Sequence, residues 1–204
     1  MEHGIREHAL YYALLSKQIF SVLSHDEAEL LLKDITMEYG RRRGRRMRRN
    51  AEDAGCGCDL QAFFTTGEWA GKPDENRSEL IRNNDSTESR VSVCAWYDTW
   101  EIYGLLSFGT YYCRWIDSAI AEGFAGSFTL AVPCTKGNGD PQCRFVWNQA
   151  LPDIPSEKPF LLSFRFHIQE LKKTAREVLE LRSPEIADGI MKRTEESFRA
   201  LCQF

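Results

Sequence analysis

The sequence predicts an α/β (α+β) domain in which a small antiparallel sheet packs with N-terminal and C-terminal helices. Three observations carry that prediction. Apolar residues recur at helical spacing at both ends of the chain, over 5–54 and again beyond residue 160. Between them, "RVSVCAWY" at 90–97, "SFTLAVPC" at 127–134 and "CRFVWN" at 143–148 read as strands, the last two joined by the turn-rich "TKGNGDPQ". With 43% hydrophobic and 12% aromatic residues over 204 positions, the chain has an ordinary globular composition, enough to bury roughly two-thirds of its unfolded surface.

Ile5, Leu10, Leu14, Ile19, Val22 and Leu23 mark a first helix over 5–24. "SHDE" at 24–27 then offers Ser24 as an N-cap with Glu27 three residues on, a capping box. The helix it starts runs over about 26–54, with Leu30, Leu31, Ile35, Tyr39, Met47 and Ala51 as inward positions. Gly40 and Gly44 fall inside it, and each costs up to ~1 kcal/mol relative to Ala. Two such losses four residues apart point to close approach of another element or a ligand, or to a kink. "GCGCD" at 55–59 ends the helix, and "DLQAFFTTGEWA" reads as a short helix and a turn. Residues 71–89 are polar and turn-rich and read as a surface loop. After the strand at 90–97 come a short helix, a break around Ser107 to Gly109 and a longer helix ending at Gly123. Residues 148–159 hold three prolines and read as a linker; a helix then leads to Arg182, and Ser183 with Pro184 opens the last one.

Charge and cysteine usage narrow the function. The formal net charge is -4 and the sequence pI about 5.7, so the basic footprint of a nucleic-acid-binding domain is missing, although "GRRRGRRMRR" at 40–49 concentrates seven arginines. Seven charges on a helix cannot all face one site. Most are solvated, leaving one or two inward arginines to bind a substrate carboxylate bidentately. No apolar run reaches the ~18 residues of a membrane span, and the N-terminus lacks the pattern of a signal peptide. A cytoplasmic protein without nucleic-acid or membrane partners is the expectation. The seven cysteines then read as free thiols rather than a disulfide framework. "CGC" at 56–58 is too tightly spaced for structural zinc, and no metal is expected.

The densest chemical constellation lies in 94–143: Cys94, Cys113, Asp117, Cys134, Asp140 and Cys143. Cys113 and Asp117 are four apart and share one helix face. A thiol beside a carboxylate can work as a nucleophile with an acid/base partner, but a carboxylate alone raises a thiol's pKa. The opposing reading is that each cysteine packs as a small hydrophobe. The aromatic set Trp96, Tyr97, Trp100, Tyr103, Tyr111, Tyr112 and Trp115 reads as core, with one or two members lining a pocket.

Four further groups of residues line up in order. They are Tyr39, Gly40, Arg43, Gly44, Arg46, Met47, Ala51 and Gly55; Val91, Cys94, Trp100 and Gly104; Tyr112, Cys113, Ile116, Asp117, Gly123 and Phe124; and Thr135, Gly139, Asp140, Cys143 and Phe145. Together these resemble the L-2-amino-thiazoline-4-carboxylic acid hydrolase family over residues 5–147. The "GD..C.F" segment is also similar to that of the 4-vinyl reductase-like ligand-binding fold. The resemblance implies a domain over 1–147, with 148–204 a linker and helical extension packed on it. It implies a cofactor-independent hydrolase opening a cyclic amidine, thiazoline or lactam-like C–N bond, in cysteine-related or specialised metabolism. Cys113 would attack or orient water, Asp117 would hold the amidinium and relay protons, and Arg43 or Arg46 would take the substrate carboxylate. Cys94, Trp100, Asp140 and Cys143 would complete the wall. The partner implied is a small-molecule substrate, and a homodimer stays open. The alternative is a non-catalytic ligand-binding or sensor domain of the same fold.

Overall fold

The computed structural model describes residues 4–152 and 159–202. It is an α+β structure in which eight helices surround a four-stranded antiparallel sheet among these residues. The helices are α1 (Ile5–Phe20), α2 (His25–Asp53), α3 (Leu60–Thr65), α4 (Ala95–Ile102), α5 (Leu106–Gly109), α6 (Tyr111–Phe124), α7 (Phe164–Arg182) and α8 (Pro184–Leu201). The strands are β1 (Asn76–Arg82), β2 (Thr87–Cys94), β3 (Leu130–Cys134) and β4 (Cys143–Trp147), in the order β1-β2-β4-β3.

Local chemistry accounts for most boundaries. The Ser24 side chain accepts from the Glu27 amide while Glu27 reaches back to the Ser24 amide, closing the capping box. Asp59 caps α3 through the Ala62 amide, at 2.8 Å. Gly55 takes a left-handed φ of 69° just past the end of α2, where glycine is free of steric cost. Pro184 occupies the first position of α8, with Ser183 before it.

Three sequence expectations are corrected. Residues 71–89 are not a loop: Asn76–Arg82 form edge strand β1, paired with β2 from Arg82↔Thr87 to Asn76↔Cys94 around a bulge at Arg77/Ser78. The polar face of this edge strand masks it as loop, because only one side of the hairpin is covered. Strand β2 therefore begins at Thr87 rather than Arg90 and stops at Cys94, where α4 starts. Helix α1 ends at Phe20, so Val22 is 43% exposed, and Leu30 points outward at 56%. The break expected around Ser107 falls at Tyr103–Leu105, where Gly104 has a φ of 65°. Of the linker expected at 148–159, residues 153–158 lie outside the described residues.

The two glycines inside α2 permit close approach. A Cβ on Gly40 would lie 2.5 Å from the Ala119 Cβ, and one on Gly44 would lie 2.5 Å from the Phe124 amide nitrogen and 2.7 Å from the Gly123 carbonyl carbon. Gly123 returns the contact, with 2.6 Å to the Arg41 Cα. Real Cβ atoms do not pack so tightly, so α2 and α6 meet backbone to backbone. One core joins all the helices, with Tyr12, Leu15, Leu32, Ile35 and Trp100 among its fully buried members. Ile168, Leu171, Leu179, Ile190 and Phe198 of α7 and α8 belong to the same core, packed on α1 and α2.

Candidate active site

A cavity of about 440 Å³ lies between the sheet and α6. Strand alternation selects its sheet wall: Cys143, Phe145 and Trp147 of β4 and Ser89 and Val91 of β2 fall on one face, with Ser89 opposite Phe145 and Val91 opposite Cys143. Helical spacing selects the facing wall, Tyr112, Cys113, Ile116, Asp117 and Ile120. Arg43 and Met47 of α2 close the back. Ala70 and Ser78, its exposed lining residues, mark the mouth.

At the end nearer the start of α6, three thiols and a carboxylate converge. Cys94, Cys113 and Cys143 lie close enough that a charge on one would disfavour a charge on the next. A Cβ on Gly137, in the single 3-10 turn Lys136–Asn138, would sit 3.1 Å from the Cys113 Cβ, so this turn packs directly over Cys113. The Lys136 amide donates to Cys143 Sγ at 3.3 Å. Burial, and then the neighbouring Cys94, Cys143 and Asp117, pushes the Cys113 thiol well above the usual cysteine range. Burial pushes Cys143 up to about 11 and raises Cys94 as well. All three therefore rest as neutral thiols at neutral pH. Burial likewise pushes the Asp117 carboxyl up to about 6, against the pull of Arg43. That places Asp117 where it can both accept and return a proton near neutrality.

Arg43 is the buried cation of the site, 5% exposed. Burial opposes its charge, but Tyr39, Tyr112 and Glu68 more than offset this and hold its pKa above the ordinary arginine value. Its Nε donates to Glu68 at 3.3 Å. Glu68, also fully buried, accepts from Arg46 through Nε at 2.5 Å and Nη2 at 2.9 Å. Arg46 additionally pairs with Glu170 of α7, at 3.6 Å.

Behind Arg43 runs a relay of hydrogen bonds whose direction is fixed. Trp96 Nε1–H donates to His8 Nδ1 at 3.1 Å, and tryptophan can only donate, so the His8 proton sits on Nε2. That proton is donated to the Tyr39 hydroxyl at 3.0 Å, which donates in turn to the His167 carbonyl at 3.3 Å. His167 Nε2–H donates to the Glu68 carbonyl at 3.4 Å. Burial, reinforced by Arg43, lowers His8 to about 3 and His167 to about 2, so both rings are neutral.

The structure brings together Arg43, Cys94, Cys113, Asp117 and Cys143 of the residues expected from sequence. It places the other three outside the cavity lining. Trp100 is core, its N–H donating to the Ala9 carbonyl at 2.8 Å. Asp140 clamps its own turn, accepting from the Thr135 amide at 3.0 Å. Arg46 stands behind Glu68 with the ring of Phe166 4.9 Å beneath its guanidinium. Glu68, His8 and His167 were not legible as part of the site. For Glu68 a signal exists: it is a lone acid within the aromatic stretch "FFTTGEW". Among the described residues no His, Cys, Asp or Glu cluster could hold a metal ion, and no helix is long and apolar enough to cross a membrane.

The family model for L-2-amino-thiazoline-4-carboxylic acid hydrolase matches residues 1–147, a span that includes every residue of the cavity wall. No curated protein and no solved structure matches the chain.

Proposed function

The chain belongs to the L-2-amino-thiazoline-4-carboxylic acid hydrolase family, and from that premise we propose that its cavity opens the ring of a small cyclic amidine by adding water. The observation that carries this reading is the pairing, within one cavity, of a permanent buried cation, Arg43, with a carboxyl poised near neutrality, Asp117. A substrate bearing a carboxylate and an amidinium presents the complementary pair of charges.

The chemistry follows from the protonation states. With the thiols neutral and no histidine ring hydrogen-bonded to them among the described residues, water is the attacking group and Cys113 orients it. Asp117 takes a proton from the water as its oxygen bonds to the amidinium carbon, which turns a cation into a neutral tetrahedral adduct. No oxyanion develops, so the site needs a base more than an oxyanion hole. In a thiazoline the carbon–sulfur bond then breaks, because a thiolate leaves more readily than an amide anion. Asp117 returns its proton to the departing sulfur, the carbamoyl group sheds one proton to solvent, and the nitrogen stays bound as an N-carbamoyl product. In a ring without sulfur the carbon–nitrogen bond breaks instead, with Asp117 protonating the nitrogen.

Liquid chromatography with mass detection of 2-amino-thiazoline-4-carboxylate after incubation tests the reading. It expects a product heavier by one water with a free thiol, turnover by Cys113→Ala and none by Asp117→Asn. A stable mass adduct on Cys113, with loss of turnover in Cys113→Ala, would instead establish covalent attack by the thiol.

A further inference from the structure

The cavity is much larger than its reacting end requires. Cys143 and Trp147 sit four residues apart on β4, about 13 Å along a strand. Cys113 and Ile120 are seven apart on α6, about 10 Å along a helix. The thiols and Asp117 occupy one end of that length. The other end is aromatic and aliphatic: Phe63, Phe64, Ile120, Leu130, Phe145 and Trp147. A volume of about 440 Å³ falls in the range that takes drug-sized ligands, roughly 300–1,000 Å³. A five-membered ring with two small substituents fills only part of it.

The apolar end also contains an unanswered polar group. Trp147 is 6% exposed, and its Nε1–H meets no acceptor among the described residues. The indole is held by Phe64, with ring centroids 5.0 Å apart, and by Phe145 at 6.3 Å. An indole nitrogen can only donate, and a buried donor rarely goes without a partner. The other indoles for which a hydrogen bond is seen show the contrast: Trp96 donates to His8 and Trp100 to the Ala9 carbonyl. At the opposite end Thr135 Oγ1, beside Cys143 in the cavity lining, is likewise buried and unpartnered among the described residues.

We propose that the substrate carries an apolar arm, extending from the ring past Ile120 and Phe145, with a hydrogen-bond acceptor such as a carbonyl oxygen near its far end that takes the Trp147 N–H. The proposal rests on the hydrolase reading for the ring end alone. The arm end stands on the cavity shape and the unpartnered indole.

Isothermal titration calorimetry with two ring-free arm probes, 4-phenylbutan-2-one and its hydrocarbon counterpart 4-phenyl-1-butene, tests the arm without requiring turnover. Wild-type protein is expected to bind the ketone about tenfold more tightly than the hydrocarbon. In Trp147→Phe, which keeps an aromatic ring and removes the N–H, the two probes bind alike. Equal binding to wild type, no binding of either probe, or a ketone preference that survives Trp147→Phe overturns the proposal. The wild-type comparison decides even if the variant fails to fold. Ring hydrolysis without probe binding would refute the arm and leave the hydrolase reading standing; probe binding without ring hydrolysis would do the reverse.

Discussion

Alanine at Gly44 and at Gly189 should shift stability in opposite directions, although both glycines lie inside helices. At Gly44 the added Cβ meets only backbone: the Ile120 carbonyl oxygen, the Phe124 nitrogen at 2.5 Å and the Gly123 carbonyl carbon at 2.7 Å. Backbone of a neighbouring helix cannot rotate aside, so α6 must move as a unit. Overpacking of this kind costs about 1–3 kcal/mol, and the upper half applies where the obstacle is main chain. Better helix propensity returns up to ~1 kcal/mol, leaving a net loss of about 1–2 kcal/mol. At Gly189 the nearest atom is the far end of the flexible Arg193 side chain, Nη1 at 3.1 Å. The propensity gain then stands nearly alone, at about +0.5–1 kcal/mol. With a urea m-value of ~2 kcal/mol/M, Gly44→Ala should lower the unfolding midpoint by about 0.5–1 M and Gly189→Ala should raise it by a few tenths. Because α6 carries Cys113 and Asp117, Gly44→Ala should also lower kcat/KM in the folded fraction. A Gly44→Ala midpoint equal to or above wild type would refute backbone contact between α2 and α6.

Glu68→Gln strips the counter-charge from buried Arg43 and Arg46 and should cost about 3 kcal/mol by urea unfolding, since breaking a buried pair strands its partner. Trp100→Phe removes one buried hydrogen bond to the Ala9 carbonyl and should cost about 1 kcal/mol by the same assay, with turnover unchanged because Trp100 is core. Stability should fall as pH drops below 6.5. Unfolded His8 and His167 take up protons there, whereas the folded rings resist until about pH 3 and about pH 2. His8→Gln, which keeps both an acceptor for Trp96 and a donor for Tyr39, should flatten that decline. Asp117 works in the opposite direction. Its folded pKa is raised from 3.8 to about 6, so it withdraws stability as pH rises through that window, and Asp117→Asn should remove this contribution.

How far the sequence reached depends on how local each cause is. The capping box at Ser24–Glu27, the Ser183–Pro184 start and the glycine turn before β4 act within a few residues, and they appear where the pattern places them. The i, i+4 spacing of Cys113 and Asp117 is likewise a local fact that the cavity preserves. Edge strand β1 was hidden because one face is solvated and its partner lies in another segment. Trp100 and Asp140 share the motif of the site residues yet serve the core and a turn, because order along a chain does not say which side of an element faces the cavity. Glu68 and His167 reach Arg43 across 25 and 99 or more positions of chain, a closure that only tertiary packing supplies. The spacing of Gly40 and Gly44 lies between these cases. It announced a close approach without saying to what, and the answer is the helix that carries the candidate acid/base pair.

The most direct measurement of the central claim, that the Asp117 carboxylate is the base of the cavity, is the pH dependence of kcat/KM for ring opening. Wild-type protein should lose activity below an acidic limb near pH 6, where Asp117 takes up its proton. Asp117→Asn should show no such limb and a rate lower by about 10²–10⁴-fold. A wild-type profile flat through pH 6, or an Asp117→Asn variant that keeps both the limb and the rate, would contradict the account.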